Sequence, residues 1–164
     1  MTAAWARRTA GVLLAWAAVA FAQVGIPPAT AHVIDQTGSL DVARAAALET
    51  RLADFERASG SQVVVLIVPT TAPETIDQYG IRVAEQWRPG RKGVDDGVIV
   101  LVALRDRAAR IEVGYGLEGV LTDAESHRIL AGSMLPRLRA GDVAGGVEAG
   151  VDRILATIQG AAPP

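Results

Sequence analysis

The sequence predicts an α/β fold in which a small mixed β-sheet carries helices on both faces. Two apolar runs, 61–69 and 98–104, are rich in β-branched residues and too short for helices, so they are typical of strands buried on both faces. A helical pattern separates them, which predicts parallel pairing through a right-handed crossover. A short alternating segment after the second run predicts an added antiparallel strand.

The first half of the domain contains two predicted helices and the first buried strand. Apolar residues recur at helical spacing over 41–59, where Ser39 or Asp41 is a suitable N-cap and Gly60 a suitable end. The strand of 61–69 stops at Pro69. A second helix is predicted over 74–87, with an imperfect apolar stripe, and the sequence Arg-Pro-Gly ends it.

The second half begins with the loop "GRKGVDDG", which leads into the strand of 98–104. Residues 110–114 alternate, so they are predicted to form a hairpin strand with Ile111 and Val113 facing inward. After a glycine-rich loop, a helix is predicted over 122–141 with a break near Pro136, and a last helix over 142–160 despite internal glycines. The tail 161–164 is expected to be short and disordered.

Composition narrows the class of protein. The chain has 164 residues, half of them hydrophobic, which fits one domain with a substantial core. Its formal net charge of −2 gives no indication of nucleic-acid binding, which normally needs a basic surface. There are no cysteines, so disulfides, thiolate metal sites and cysteine nucleophiles are excluded.

The first 31 residues have the pattern of a secretory signal peptide. Arg7 and Arg8 precede an apolar run over 9–22, which is shorter than the roughly 20 residues of a membrane span. Small-residue cleavage patterns end at Ala22 and Ala31. Cleavage after Ala31 is favoured because "GIPP" breaks any helix. We therefore expect an exported, periplasmic or extracellular protein with no membrane anchor in its mature chain.

Four carboxylates are predicted to meet at one end of the sheet. If the hairpin turn centres on Asp106 and Arg107, Glu112 lies opposite Leu101, and the extended ladder brings the "VDDG" loop beside "GYGLEG". Asp123 opens the helix that follows. The converging residues are Asp95, Asp96, Glu118 and Asp123.

Such a cluster favours a hard divalent cation. Close carboxylates repel one another unless a positive charge neutralises them, and Ca²⁺ or Mg²⁺ takes oxygen ligands from acids, backbone carbonyls and water. The glycines around Gly116 allow close backbone approach. Each acid also has an ordinary structural explanation, because Asp-Asp-Gly is a common turn and Asp123 suits a helix N-terminus. Both interpretations stay open.

Other residues near the cluster are weaker candidates. Trp87 is either a core residue or a wall of the pocket. Tyr115, between two glycines, is a candidate ligand-facing group. Arg91 and Lys92 either bind an anion or, as we prefer, balance the acidic charge. His127 is more often solvated than functional at such a position.

The quoted residues resemble a known family. "DDGVIVLVALRDRAARIEVGYGLEGVLTDAESHRIL" and "MLPRLRAGDVAGGVEAGVDRI" are similar to the TPM domain family, which includes thylakoid-lumen proteins of photosystem II repair and bacterial exported proteins. The resemblance runs from about residue 33 to 159 and assigns 32–160 to a TPM domain. It implies a Rossmann-like three-layer sandwich with an acidic divalent-cation site formed by Asp95, Asp96, Glu118 and Asp123, with Asp35 as a further candidate.

The resemblance also implies two classes of function. One is a binding or assembly module for a membrane-protein complex of the cell envelope. The other is a metal-dependent acid phosphatase, a phosphomonoesterase, in which Asp95 and Asp96 would be the candidate catalytic residues. A third hypothesis is an adaptor without metal. We favour the module because no nucleophile–base pair is visible, and we expect a monomer.

Overall fold

The computed structural model describes residues 22–160, which form four strands and several helices. The strands are β1 Val33–Asp35, β2 Gln62–Val68, β3 Gly97–Ala103 and β4 Ala108–Val113. The helices are α1 Val42–Ser59, α2 Ile76–Trp87, α3 Asp123–Ile129, α4 Leu135–Arg139 and α5 Val143–Gly160. A 3₁₀ turn covers Tyr115–Leu117 and a π-helix covers Leu130–Met134.

The sheet has the order β1-β2-β3-β4. Strands β1, β2 and β3 are parallel, and β4 pairs antiparallel with β3. The predicted parallel crossover through α2 and the added hairpin strand are therefore confirmed. Residues 63–68 and 98–103 of the two apolar runs form the central strands, and their side chains alternate between the apolar clusters on the two faces of the sheet.

Helices cover both faces of the sheet, which confirms the predicted fold class. One face packs against α1 and α5 through a core that includes Leu52, Phe55, Val147 and Ile154. The other face packs against α2 through a smaller core built on Tyr79 and Val83. The result is a three-layer α/β sandwich with unequal helical layers.

The first strand was missed by the sequence prediction. Residues 33–35 add a parallel edge strand beside β2, with Val33 opposite Val65. His32 fixes this edge to α1, because its ring nitrogens lie 2.7 Å from Glu49 Oε1 and 2.6 Å from Glu56 Oε2. Glu49 also accepts hydrogen bonds from the backbone amides of His32 and Val33.

The register of the hairpin differs from the predicted one by two residues. Ile99 lies opposite Glu112, and Leu101 lies opposite Arg110, whereas Glu112 was predicted opposite Leu101. The turn occupies residues 104–107, one position earlier than assumed. A two-residue slip preserves the alternation of faces, so Ile111 still points into the core.

The predicted helix of 122–141 is interrupted earlier than expected. Thr122 caps α3 through the amide of Glu125, but the π-helix of residues 130–134 then widens the backbone before α4, which has Pro136 in its first turn. The break therefore begins ahead of the proline. None of the helices within residues 22–160 combines the length and the hydropathy that crossing a bilayer requires.

Candidate binding groove

The loop of residues 88–96 folds back over the start of β3. It leaves α2 through Arg88, which has a left-handed backbone with φ 46°, and continues through Gly90, whose amide donates to the side chain of Gln62 over 2.9 Å. The carbonyl of Asp96 accepts from the amide of Gln62. These contacts fix both ends of the loop to β2.

The carboxylate of Asp96 is buried and paired with Arg91. Its Oδ1 accepts from the Arg91 amide at 2.7 Å, and its Oδ2 accepts from Nε at 2.8 Å and Nη2 at 2.6 Å. The side chain is only 3% exposed. Burial opposes its charge, but the hydrogen bonds from Arg91 prevail and hold the pKa of Asp96 below its ordinary value.

Asp95 faces the opposite way because its backbone is left-handed. Its φ of 56° is tolerated by aspartate better than by most residues, and it turns the exposed side chain away from Asp96. The Asp-Asp pair thus supplies one buried counter-charge and one solvent-facing carboxylate. The two acids do not share a ligand position.

Gly114 and Gly116 lie where two backbones approach closely. The Gly116 amide donates to the carbonyl of Asp95 over 3.0 Å. A Cβ at Gly114 would overlap that same carbonyl, and a Cβ at Gly116 would overlap the carbonyl of Val94. The glycines are therefore required by packing, and they leave Tyr115 between them with 81% of its surface exposed.

An open groove of about 690 Å³ lies beside this loop. It runs between the end of α2 and the starts of β3 and the glycine loop, at the amino end of the parallel strands. Its charged and aromatic lining consists of Arg88, Arg91, Lys92, Asp95, Glu112 and Tyr115. The lining contains no Ser, Thr, Cys or His, so the groove offers no aliphatic hydroxyl, no thiol and no imidazole base; its one hydroxyl is the phenol of Tyr115.

Of the predicted pocket residues, Tyr115 lines the groove, with Gly116 next to it, and the predicted metal ligand Asp95 lies in the same lining. Trp87 does not; it borders a separate depression with His32 and Glu49, and its Nε1 donates to the carbonyl of Pro27 over 2.9 Å.

Asp35 lies at the carboxyl end of β1, level with Ile67 near the end of β2, which is the opposite end of the sheet from the groove. Its carboxylate accepts from the amide and hydroxyl of Thr37 and from the amide of Leu40. These bonds fix the turn that precedes α1. Asp35 is therefore a turn residue in this structure, separate from the groove.

The remaining two predicted ligands lie beyond the glycine loop. Glu118 follows the 3₁₀ turn and Asp123 begins α3, and both are exposed. Within residues 22–160, no set of three or more acidic or histidine side chains is placed to hold a metal ion. The hairpin slip explains this spread, because Asp95 meets Gly116 rather than Glu118.

A Ca²⁺ or Mg²⁺ site needs carboxylate oxygens that are free to coordinate the ion. Asp96 does not fit as a ligand here, since hydrogen bonds from Arg91 occupy both of its oxygens. The guanidinium supplies the positive charge that a cation would otherwise provide. Cation binding by Asp95, Glu118 and Asp123 stays a prediction.

Sequence reasoning missed the roles of Gly60 and Arg88. A Cβ at Gly60 would overlap the guanidinium of Arg91, so this glycine makes room for the ion pair as well as ending α1. Arg88 reaches the groove because α2 ends on it in a left-handed conformation. The dipeptide Arg-Pro was a signal for the end of α2, but no sequence signal gives the direction of Arg88.

A family model described as the TPM domain matches residues 33–157. Among solved structures, the N-terminal domain of a P. gingivalis protein is 28% identical, with a TM-score of 0.72 over 80% of this chain and 84% of that one. The N-terminal domain of a Corynebacterium glutamicum protein is 15% identical, with a TM-score of 0.63 over 87% and 90% of the two chains.

A third solved structure is the BA42 protein of the psychrophilic bacterium Bizionia argentinensis, which is 16% identical with a TM-score of 0.64 over 74% of this chain and 82% of that one. No curated protein matches the chain.

Proposed function

The chain belongs to the TPM domain family, and from that premise we propose that it is an exported binding or assembly module of the cell envelope that holds its partner in the groove beside Tyr115. The observation that carries the proposal is the exposed Tyr115 ring next to a groove of about 690 Å³. A large exposed aromatic beside a concave surface has the composition of a binding hot spot. The partner in this proposal is a membrane-protein complex of the envelope.

The loop that forms the groove is suited to recognition because it is held rigidly. The Arg91–Asp96 pair and the bond from Gly90 to Gln62 fix its backbone, so little conformational entropy is lost when a partner binds. In this proposal, calcium or magnesium binds to the exposed carboxylates of Asp95, Glu118 and Asp123. The bound cation would change the charge of the surface around the groove and would not be needed for folding.

A metal-dependent phosphomonoesterase is the second candidate. Three cationic side chains, those of Arg88, Arg91 and Lys92, line the groove, and guanidinium groups suit phosphate recognition. The binding module ranks above it because the lining of the groove has no Ser, Thr or Cys nucleophile and no imidazole base. Asp95 would be its only candidate catalytic acid with an exposed carboxylate.

The test is crosslinked capture from envelope membranes with the processed chain and its Tyr115→Ala variant. We expect recovery of a specific membrane protein to fall about tenfold in the variant, as loss of a hot-spot side chain predicts. Val42→Ala is the matched control, because Val42 is 87% exposed at the start of α1, outside the groove. Equal recovery with Tyr115→Ala would contradict the proposal.

The same preparations test whether a cation is needed for binding and whether the chain releases phosphate. Capture in calcium, in magnesium and in chelator shows whether the partner needs a cation, and Asp95→Asn should remove any such dependence. Phosphate release from a model phosphomonoester, lost in Asp95→Asn and in chelator, would favour the enzyme instead. Release that survives both changes would exclude Asp95 and the metal from that chemistry.

A further inference from the structure

Residues 22–31 form an extended segment, here called the strap, that precedes β1 and lies outside the matched family range of 33–157. It has no regular secondary structure. Its position matters because the sequence alone favoured removal of these residues with the signal peptide.

Three side chains of α2 bind the backbone of the strap. Tyr79 Oη donates to the Gly25 carbonyl over 3.1 Å and Arg82 Nη2 to the Val24 carbonyl over 2.9 Å. Trp87 Nε1 donates to the carbonyl of Pro27 over 2.9 Å. The three donors are spread along α2 from its first turn to its last residue, so they follow the strap over much of its length.

The strap also completes an apolar layer. Val24 and Ile26 pack against the core between α2 and the sheet, and they are half-buried while Ala22, Gln23 and Ala29 are exposed. This face of the sheet carries α2 alone among the described helices, whereas the opposite face has α1 and α5. The apolar strap residues thus extend the thinner layer.

We infer that the leader is removed after Ala22 and that the strap, beginning at Gln23, stays as part of the mature domain. Water hydrolyses the amide bond between Ala22 and Gln23, which leaves a carboxylate on the released leader and an α-ammonium on the domain. The sequence Ala20-Phe21-Ala22 supplies the small residues this cleavage needs, directly at the end of the apolar run. The inference rests on the proposed export.

Cleavage after Ala31 would have a structural cost. It would remove all three carbonyl acceptors, and the buried ring of Tyr79 and the indole of Trp87 would lose the partners of their polar atoms. It would also uncover the apolar surface under Val24 and Ile26. Both losses destabilise the folded domain.

The cleavage site is tested by mass spectrometry of the N-terminal peptide of the exported chain. We expect it to begin at Gln23, either free or cyclised to pyroglutamate. A start at His32 would overturn this inference and leave the proposed export intact. A chain that still begins at Met1 would overturn both, so the two failures are distinguishable.

Two variants of the full chain form a matched pair, since a large side chain before the scissile bond blocks processing. Ala22→Leu should accumulate the unprocessed precursor, while Ala31→Leu should be processed like the wild type. The reverse result would place cleavage after Ala31. Both residues are exposed, so neither change should disturb the fold.

The melting temperature and the tryptophan fluorescence test whether the strap stabilises the fold. The three tryptophans of the sequence are Trp5, Trp16 and Trp87, so the processed chain fluoresces from Trp87 alone. Ile26→Ser should lower the melting temperature and shift the Trp87 emission to longer wavelength, because water reaches the indole. Gln23→Ser, at an exposed position of the strap away from the depression that Trp87 borders, is the control and should change neither. Unchanged melting and emission in Ile26→Ser would show that the strap is not part of the fold.

Discussion

Asp95 and Asp96 are adjacent in sequence, yet their carboxylates lie in different environments because the backbone at Asp95 is left-handed. Asp96 has a side chain 3% exposed and is held by Arg91, whose own side chain is 58% exposed. Solvent therefore reaches the guanidinium of the pair and partly screens the attraction between the two charges. The hydrogen bonds to a buried carboxylate make the larger contribution to stability.

Replacing Asp96 with Asn should lower the free energy of unfolding by about 2 kcal/mol, because charge-assisted hydrogen bonds from Arg91 are lost in a buried position. Asp95→Asn is the matched control, and we expect a change within about 0.5 kcal/mol, since asparagine tolerates a left-handed backbone. Urea unfolding of both variants measures the difference. Equal stability of the two variants would show that the ion pair does not hold the loop.

The two aspartates also show what the sequence could and could not predict at this scale. The composition of "VDDG" indicates a turn with two charges beside a buried strand. The partner of Asp96 could not be derived, because it depends on one positive φ at Asp95 and on the path of Arg91 five residues earlier. The preferred interpretation of Arg91 as a balancing charge agrees with the observed pair.

At the scale of elements, His32 is the contact that joins β1 to α1. Its side chain is 16% exposed and lies between Glu49 and Glu56, the titratable groups that face it. Burial of the imidazole opposes its charge, but the hydrogen bonds to Glu56 and Glu49 prevail and raise the pKa of His32 above its ordinary value. Both ring nitrogens act as donors in the charged form.

This contact predicts a pH dependence of stability. The contribution of charged His32 is fully present below the unfolded pKa of about 6.5 and is lost as the pH rises through the raised folded pKa. We expect the free energy of unfolding of the wild type to fall by on the order of 1 kcal/mol as the pH rises through this window.

The control is His32→Gln, which should be less stable at the lower pH and flat across the window. Urea unfolding at closely spaced pH values measures both proteins. His127 is present in both proteins, so the difference between the two curves reports on position 32. A wild-type curve parallel to that of His32→Gln would contradict the role of the imidazole.

The strands and helices with strong periodicity were predictable, while their pairings were less so. β1 has three residues, too few for an alternating pattern, so it could not be recognised. Helix α5 was predicted despite its glycines, and the structure explains two of them, since a Cβ at Gly146 or Gly150 would press on Leu138 or Met134. Those glycines let the π-helix and α4 approach α5, a contact between segments that local sequence does not encode.

At the scale of the whole molecule, large exposed apolar side chains are few. In the described part of the chain they are Val42, Ile81, Val94 and Tyr115. Val94 and Tyr115 belong to the loops beside the groove, while the other two lie on separate helices. These side chains do not form the large contiguous apolar patch that is typical of stable self-association.

We therefore expect the processed chain to be a monomer in solution. Light scattering after size-exclusion chromatography, repeated over a range of protein concentrations, should give the mass of one chain throughout. A dimer would contradict this expectation, and its dissociation by Tyr115→Ala but not by Val42→Ala would identify the groove as the surface that mediates self-association.

The fold also protects its two central strands from aggregation. The sequences of β2 and β3, "QVVVLIV" and "GVIVLVA", have the high β-propensity and low charge that favour intermolecular cross-β stacking. They lie in the interior of the sheet because β1 and β4 occupy its edges; β4 pairs with residues 98–103 of β3, and β1 pairs with residues 65–67 of β2. β1 is very short, and β4 carries Arg110 and Glu112, so each edge is a poor template for another chain. Replacing Arg110 and Glu112 with neutral residues is therefore expected to make the domain prone to fibre formation.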